Sequence, residues 1–202
     1  EFTPARINSV LCARGIHALI LAARLPAPGP IMQLEWDRFC VVALGYSITN
    51  LHCHRACYHQ SQSMGLNLAE LRTRGYRRIG LAISEQAIVR SNTLFLGSYL
   101  AEQCRRPKRD HVPPLIVSEL EVTAAALLPW VKKHSLDCII TASPEAVAWL
   151  RAAGLRVPAD IGVAHLSRES GDSSVAGIDE QCELLGEAAV DFTASLLRAN
   201  ER

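Results

Sequence analysis

The sequence predicts an α/β protein whose parallel strands are joined by crossover helices, and three observations carry that prediction. Short, wholly apolar runs alternate with segments of helical periodicity, which is the order a parallel sheet requires. The apolar runs lack the in–out alternation of a half-exposed strand and so read as strands covered on both faces. Glycines close the helical segments, and proline clusters mark the loops between them.

Residues 16–22 read as the first buried strand, and residues 25–30, with three prolines and a glycine, as a loop. Residues 39–44 form a second strand closed by Gly45, and residues 51–56 a short third one. A helix over 59–74 places Met64, Leu68 and Leu71 on one face and stops at Gly75. The fourth strand is 78–83. The rest continues the theme: helix 89–104, strand 113–118, helix 122–133 and strand 137–141. Then come helix 144–153 with Pro144 in its first turn, strand 161–166, a short strand 175–178 and a last helix 184–197. Residues 1–8 show no clear pattern. A complete doubly wound domain normally begins with a strand, so the chain reads as incomplete.

Composition narrows the function. Lys and Arg total 21 against 20 Asp and Glu, so there is no overall basic field for nucleic acid. A DNA contact would need a segment outside these 202 residues. No secretory start and no apolar stretch of about 18 residues is present, which points to the cytosol. Seven cysteines, mostly within apolar runs, read as reduced, buried thiols. Trp130 and Trp149 sit in apolar helical patterns and read as core.

Three stretches carry a resemblance. They are Leu71-Arg72-Thr73-Arg74-Gly75-Tyr76-Arg77-Arg78-Ile79-Gly80-Leu81, then Gly154-Leu155-Arg156-Val157-Pro158-Ala159-Asp160-Ile161-Gly162-Val163, then Leu184-Leu185-Gly186-Glu187-Ala188-Ala189-Val190. In order and separation they resemble segments of the lactose/galactose repressor (LacI/GalR-type) family of transcriptional regulators. Each also has a local reason. Gly75 and Gly154 suit the positive φ that ends a helix, Pro158 stiffens a loop, and Asp160 can accept a backbone N–H in a turn.

The resemblance implies a two-lobed fold like that of periplasmic (type I) binding proteins, with parallel sheets flanked by helices. Residues 1–82 with 180–202 would form an incomplete first lobe, and 83–179 the second. The family's DNA-reading head, its hinge, the first strand–helix–strand and the closing strand pair have no counterpart in the sequence. The implied function is small-molecule sensing in a cytoplasmic, homodimeric regulator that reads DNA through that head. No cofactor, metal or membrane contact is implied. The alternatives are an extracytoplasmic solute-binding protein of a transporter and an α/β enzyme.

The resemblance also implies where a small-molecule effector, sugar-like or not, would be held: Tyr58, His59 and Gln62 from the first lobe, and Arg90, Asn92, Ser143 and Ser167 from the second. Arg90-Ser91-Asn92 would open the first helix of the second lobe. Ser143 and Ser167 read equally as helix caps or ligand contacts. Family members commonly carry an aspartate near Tyr58 and an arginine where this chain has Leu94, so a familiar sugar does not follow.

Other chemistry is poorly supported. His52-Cys53-His54-Arg55-Ala56-Cys57-Tyr58-His59 is rich in ligating groups, but a zinc site needs four that converge and no second cluster matches it. Gly45-Tyr46-Ser47-Ile48-Thr49 is half of a nucleophile elbow, lacking the second glycine. No glycine-rich phosphate loop occurs.

Overall fold

The first element is one that the sequence pattern does not announce. In the computed structural model, which describes residues 3–23, 30–118, 121–168 and 174–200, helix α1 spans Pro4–Ala13. Thr3 Oγ1 accepts the Arg6 N–H at 3.3 Å, and Pro4 occupies the first turn, where its missing donor is not needed. The absence of a clear pattern over residues 1–8 thus hid a helix. A cap and a proline define this helix, not an apolar stripe. The loop expected at 25–30 lies almost wholly outside the described residues.

The chain divides into two compact units, Glu1–Tyr58 with Gln181–Arg202, and His59–Glu180. In the first, strands β1 (Ala18–Leu21), β2 (Cys40–Leu44) and β3 (His54–Ala56) form a parallel sheet in sequence order. Ala18 pairs with Cys40, and Val42 with His54. The long helix α7 (Cys182–Ala199) packs across the strands, and its Ala189 and Leu196 join Cys40 and Val42 in a buried cluster. Phe192 of α7 meets the His54 ring edge-on at 5.5 Å.

In the second unit, helix α2 (Gln60–Thr73) leads through Gly75, at φ +95°, into strand β4 (Ile79–Ser84). Helices α3 (Glu85–Arg90) and α4 (Leu94–Cys104) precede β5 (Leu115–Val117), and α5 (Ala124–His134) precedes β6 (Cys138–Thr141). Then follow α6 (Ala146–Ala152), β7 (Gly162–Arg168) and β8 (Ala176–Asp179). The five strands are parallel, in the order β5-β4-β6-β7-β8. All of β4 and β6 is buried, as their unbroken apolar runs require. The expected boundary at 82/83 and the observed division at 58/59 differ by α2 and most of β4. Strand β4 hydrogen-bonds to β5 and β6, which places it inside the second sheet.

Three local expectations change. The helix expected at 89–104 is two helices, because Asn92 and Thr93 adopt left-handed φ of 47° and 61° between them. Asn enters that region more readily than most residues. Pro144 precedes α6 in a turn in which Ala146 N–H meets Ser143 O at 3.3 Å. Only Cys40 and Cys138 of the seven thiols are buried; Cys12, Cys104 and Cys182 are exposed. Burial and the neighbouring Asp137 carboxylate push the Cys138 thiol up to about 12.

Candidate functional site

Strand order locates the site in the second unit. The chain leaves β4 for β5 on one side, then returns to β6 on the other. Right-handed crossovers put these two connections on opposite faces of the sheet. Open α/β sheets bind ligands at such a switch point, beyond the C-terminal ends of the two strands, here β4 and β6.

Hydroxyl groups line that edge. Ser84, the last residue of β4, is buried, and its Oγ accepts the Ala87 N–H at 3.2 Å to cap α3. Thr141, the last of β6, is buried, and its Oγ1 accepts the Ser143 N–H at 3.2 Å. Ser143 is 5% exposed, and its own hydroxyl makes no hydrogen bond among the described residues. Ser91, also buried, donates to Ile88 O at 3.1 Å. Such hydroxyls both donate and accept, which suits a polar, uncharged ligand. Neither Ser84 nor Ser143 has a histidine on its hydroxyl among the described residues, as nucleophilic catalysis needs.

The sequence-predicted residues distribute as follows. Ser143 and the half-buried Arg90, last in α3, belong to this edge, and so do Asn92 at the α3–α4 break and the exposed Ser167 near the end of β7. His59 and Gln62 start α2, whose C-terminus leads into β4, so its N-terminus lies toward the same edge. His59 is that helix's cap: its Nδ1 accepts the Gln62 N–H at 3.1 Å. Both therefore belong to the second unit, not the first. Arg90-Ser91-Asn92 ends one helix instead of opening one. Ser143 does not cap α6 with its side chain; Glu145 holds the cap position. Tyr58 is half-buried and ends the first segment of the other unit. Sequence reasoning missed Ser84, Ser91 and Thr141. Ser84 was findable, since a serine directly after an apolar strand and before a helical run is a cap signal.

A cavity of about 620 Å³ in the second unit lies elsewhere. It runs beside α2, β7 and β8, with Leu66, Tyr76, Val163 and Ile178 in its wall and none of the predicted residues.

In the first unit, one side chain makes three of the hydrogen bonds that hold the loop after β2. The Arg55 guanidinium donates to the carbonyls of Gly45 (2.9 Å), Ile48 (2.9 Å) and Leu51 (3.1 Å) and lies 5.8 Å from the centre of the Tyr46 ring. Cys57 Sγ meets Tyr46 Oη at 3.3 Å; that hydrogen bond, with burial, raises the phenol's pKa. Burial likewise raises the Cys53 thiol. Among the described residues no three His, Cys, Asp or Glu side chains converge as a metal site requires. No described helix is long and apolar enough to cross a membrane.

No protein-family profile and no curated protein sequence matches this chain. Solved structures do. The transcription regulator CcpA of Lactococcus lactis is similar over 98% of this chain and 76% of its own, at 11% identity and a TM-score of 0.69. A LacI transcriptional regulator from a Rhodococcus species aligns over 96% and 75%, at 14% identity and 0.69. The transcriptional regulator CelR in complex with cellobiose aligns over 98% and 64%, at 16% identity and 0.67. At these identities the likeness is one of fold: parallel sheets flanked by helices, as in these regulators.

Proposed function

We propose that this chain is the small-molecule-sensing core of a DNA-binding transcriptional regulator. The observation that carries this reading is the strand order, which puts a switch point between β4 and β6 with Ser84, Thr141 and the free hydroxyl of Ser143 at their C-terminal ends. The similarity to regulator structures, one of them holding cellobiose, supports it. The effector is a small polar molecule, held at this edge by Ser143, Arg90, Asn92 and Ser167, with His59 and Gln62 as further contacts. Binding shifts the population of conformations, and DNA affinity follows through a segment outside these residues. The working protein is a cytoplasmic homodimer, which presents paired DNA-reading heads.

The test is a thermal-shift panel of mono- and disaccharides, cellobiose included, and other small polyols. A ligand at about 100 times its Kd stabilises the folded state by about 2.7 kcal/mol. Ser143→Ala and Arg90→Ala should each weaken binding about tenfold while remaining folded. Ligand recovered unchanged separates sensing from catalysis. Equal affinity in both folded variants would overturn the placement of the site. Turnover of the ligand would overturn the function.

A further inference from the structure

We propose that the first unit carries a separate small-molecule site, at the N-terminal edge of its sheet, for an uncharged planar ring with a carboxamide-like edge. Nothing in this inference depends on the sensing role proposed above.

The register of the sheet builds the site. Because Val42 pairs with His54, the segment entering β2 lies beside the segment entering β3. The first contributes Trp36, Asp37 and Phe39, the second His52, Cys53 and His54, and together they line a cavity of about 380 Å³. That lies within the range of about 300–1,000 Å³ typical of small-ligand sites. Leu51, whose carbonyl Arg55 holds, lines it too.

The wall specifies the ligand. Phe39 and Val41 are buried and offer an apolar floor, as a flat ring prefers. The Trp36 indole N–H is buried and has no hydrogen-bond partner. Indole nitrogen only donates, and native proteins rarely leave such a donor unmatched. The next residue, Asp37, is exposed and brings an acceptor. A ligand group that answers the indole must be an acceptor, and one that also reaches Asp37 must carry a donor, as a primary carboxamide does. A carboxylate would satisfy Trp36 but be repelled by Asp37. A ketone would leave Asp37 unanswered. The Cys53 thiol, raised by burial, adds no negative charge.

The experiment uses benzamide, with benzoate and acetophenone as controls, on the full chain labelled with ¹⁵N at tryptophan. Of the three indole N–H signals, that of Trp36 is identified by its loss in Trp36→Phe. Trp130, whose N–H already donates to Pro113 O at 3.1 Å, is an internal reference. Benzamide should move the Trp36 signal saturably at millimolar concentration and leave Trp130 and Trp149 unmoved. Benzoate and acetophenone should each bind about tenfold more weakly. Asp37→Ala, at an exposed position, should weaken benzamide about tenfold and leave acetophenone unchanged. An unmoved Trp36 signal, a shift only at Trp130 or Trp149, or benzoate binding as tightly as benzamide would each overturn the site.

Discussion

The two sheets use the same parts with different completeness. In the second unit every residue of β4 and β6 is buried, and Ile139, Leu127, Trp130, Leu150 and Ile161 close one continuous core. In the first, β2 alone is an inner strand, and β1 leaves Ile20 41% exposed. Helix α7 contributes Ala189 and Leu196 to the core yet leaves Val190 and Leu197 56% and 44% exposed. The same kind of apolar strand is thus a core in one unit and nearly a surface in the other. Helices on both faces make the difference, and stability should follow it.

The sharpest way to break that comparison is to separate the units. Residues 59–180 are contiguous and hold the whole five-stranded sheet. Expressed alone, they should unfold cooperatively and give dispersed amide signals. Residues 1–58 should not fold alone, because α7, which covers their strands, comes from the other end of the chain. A molten 59–180 fragment, with no cooperative transition, would show that the second core is not self-sufficient.

Within the second unit, Gly80 sharpens the point. A Cβ there would lie 2.3 Å from Trp130 Cη2 and 2.7 Å from Leu136 Cδ1, and both side chains are buried. Gly80→Ala should lower stability by about 1–3 kcal/mol, read as a fall in Tm. At Gly162 the nearest atom is Tyr76 Cζ at 2.6 Å, at the far end of a half-buried side chain that can swing outward. Gly162→Ala should therefore be the milder change. Equal losses would mean that Trp130 yields as easily as Tyr76.

In the first unit the strongest single tie is polar. Arg55→Lys keeps the charge but loses the planar fork that spans three carbonyls. It should cost about 1 kcal/mol and broaden the ring signals of Tyr46. An unchanged Tm would show the loop to be held by its own backbone.

What was legible in the sequence follows the same division. Strands β4, β6 and β7 are apolar runs with one meaning, and they stand within two residues of where they were read. Helix α1 was missed because its signal is a Thr-Pro start and not a stripe. The α3–α4 break was missed because left-handed Asn92 and Thr93 leave no mark in the hydrophobic period. Of the site, Ser143 was legible as a strand end. Ser84 carried a cap signal that went unread, because the helix was read only from residue 89. The Arg55 clamp joins residues through carbonyls, which every residue has, so no sequence pattern could show it. His59 and Gln62 were assigned to the other unit because no composition change marks the crossing at 58/59.

The smallest expected effect concerns the turn entering β7. Asp160 accepts the Arg156 N–H at 2.8 Å and the Arg156 guanidinium at 2.9 and 2.6 Å. The side-chain hydrogen bond first, then the backbone one, hold its carboxyl at about 2, below the ordinary 3.8. A carboxyl depressed in the folded state adds stability above its unfolded pKa and loses it as pH falls through the folded one. The contribution should therefore be complete above about pH 4 and disappear toward about pH 2. Asp160→Asn keeps an acceptor for the backbone N–H but removes the charge. Its Tm should lie slightly below the parent's at neutral pH, and the gap should close as the pH falls from 4 to 2. Because the Arg156 side chain is 77% exposed, added salt should shrink the gap at neutral pH as well. No gap at any pH would mean that the carboxylate acts only through the backbone hydrogen bond, which asparagine keeps, and a gap constant with both pH and salt would mean that its charge is not the cause.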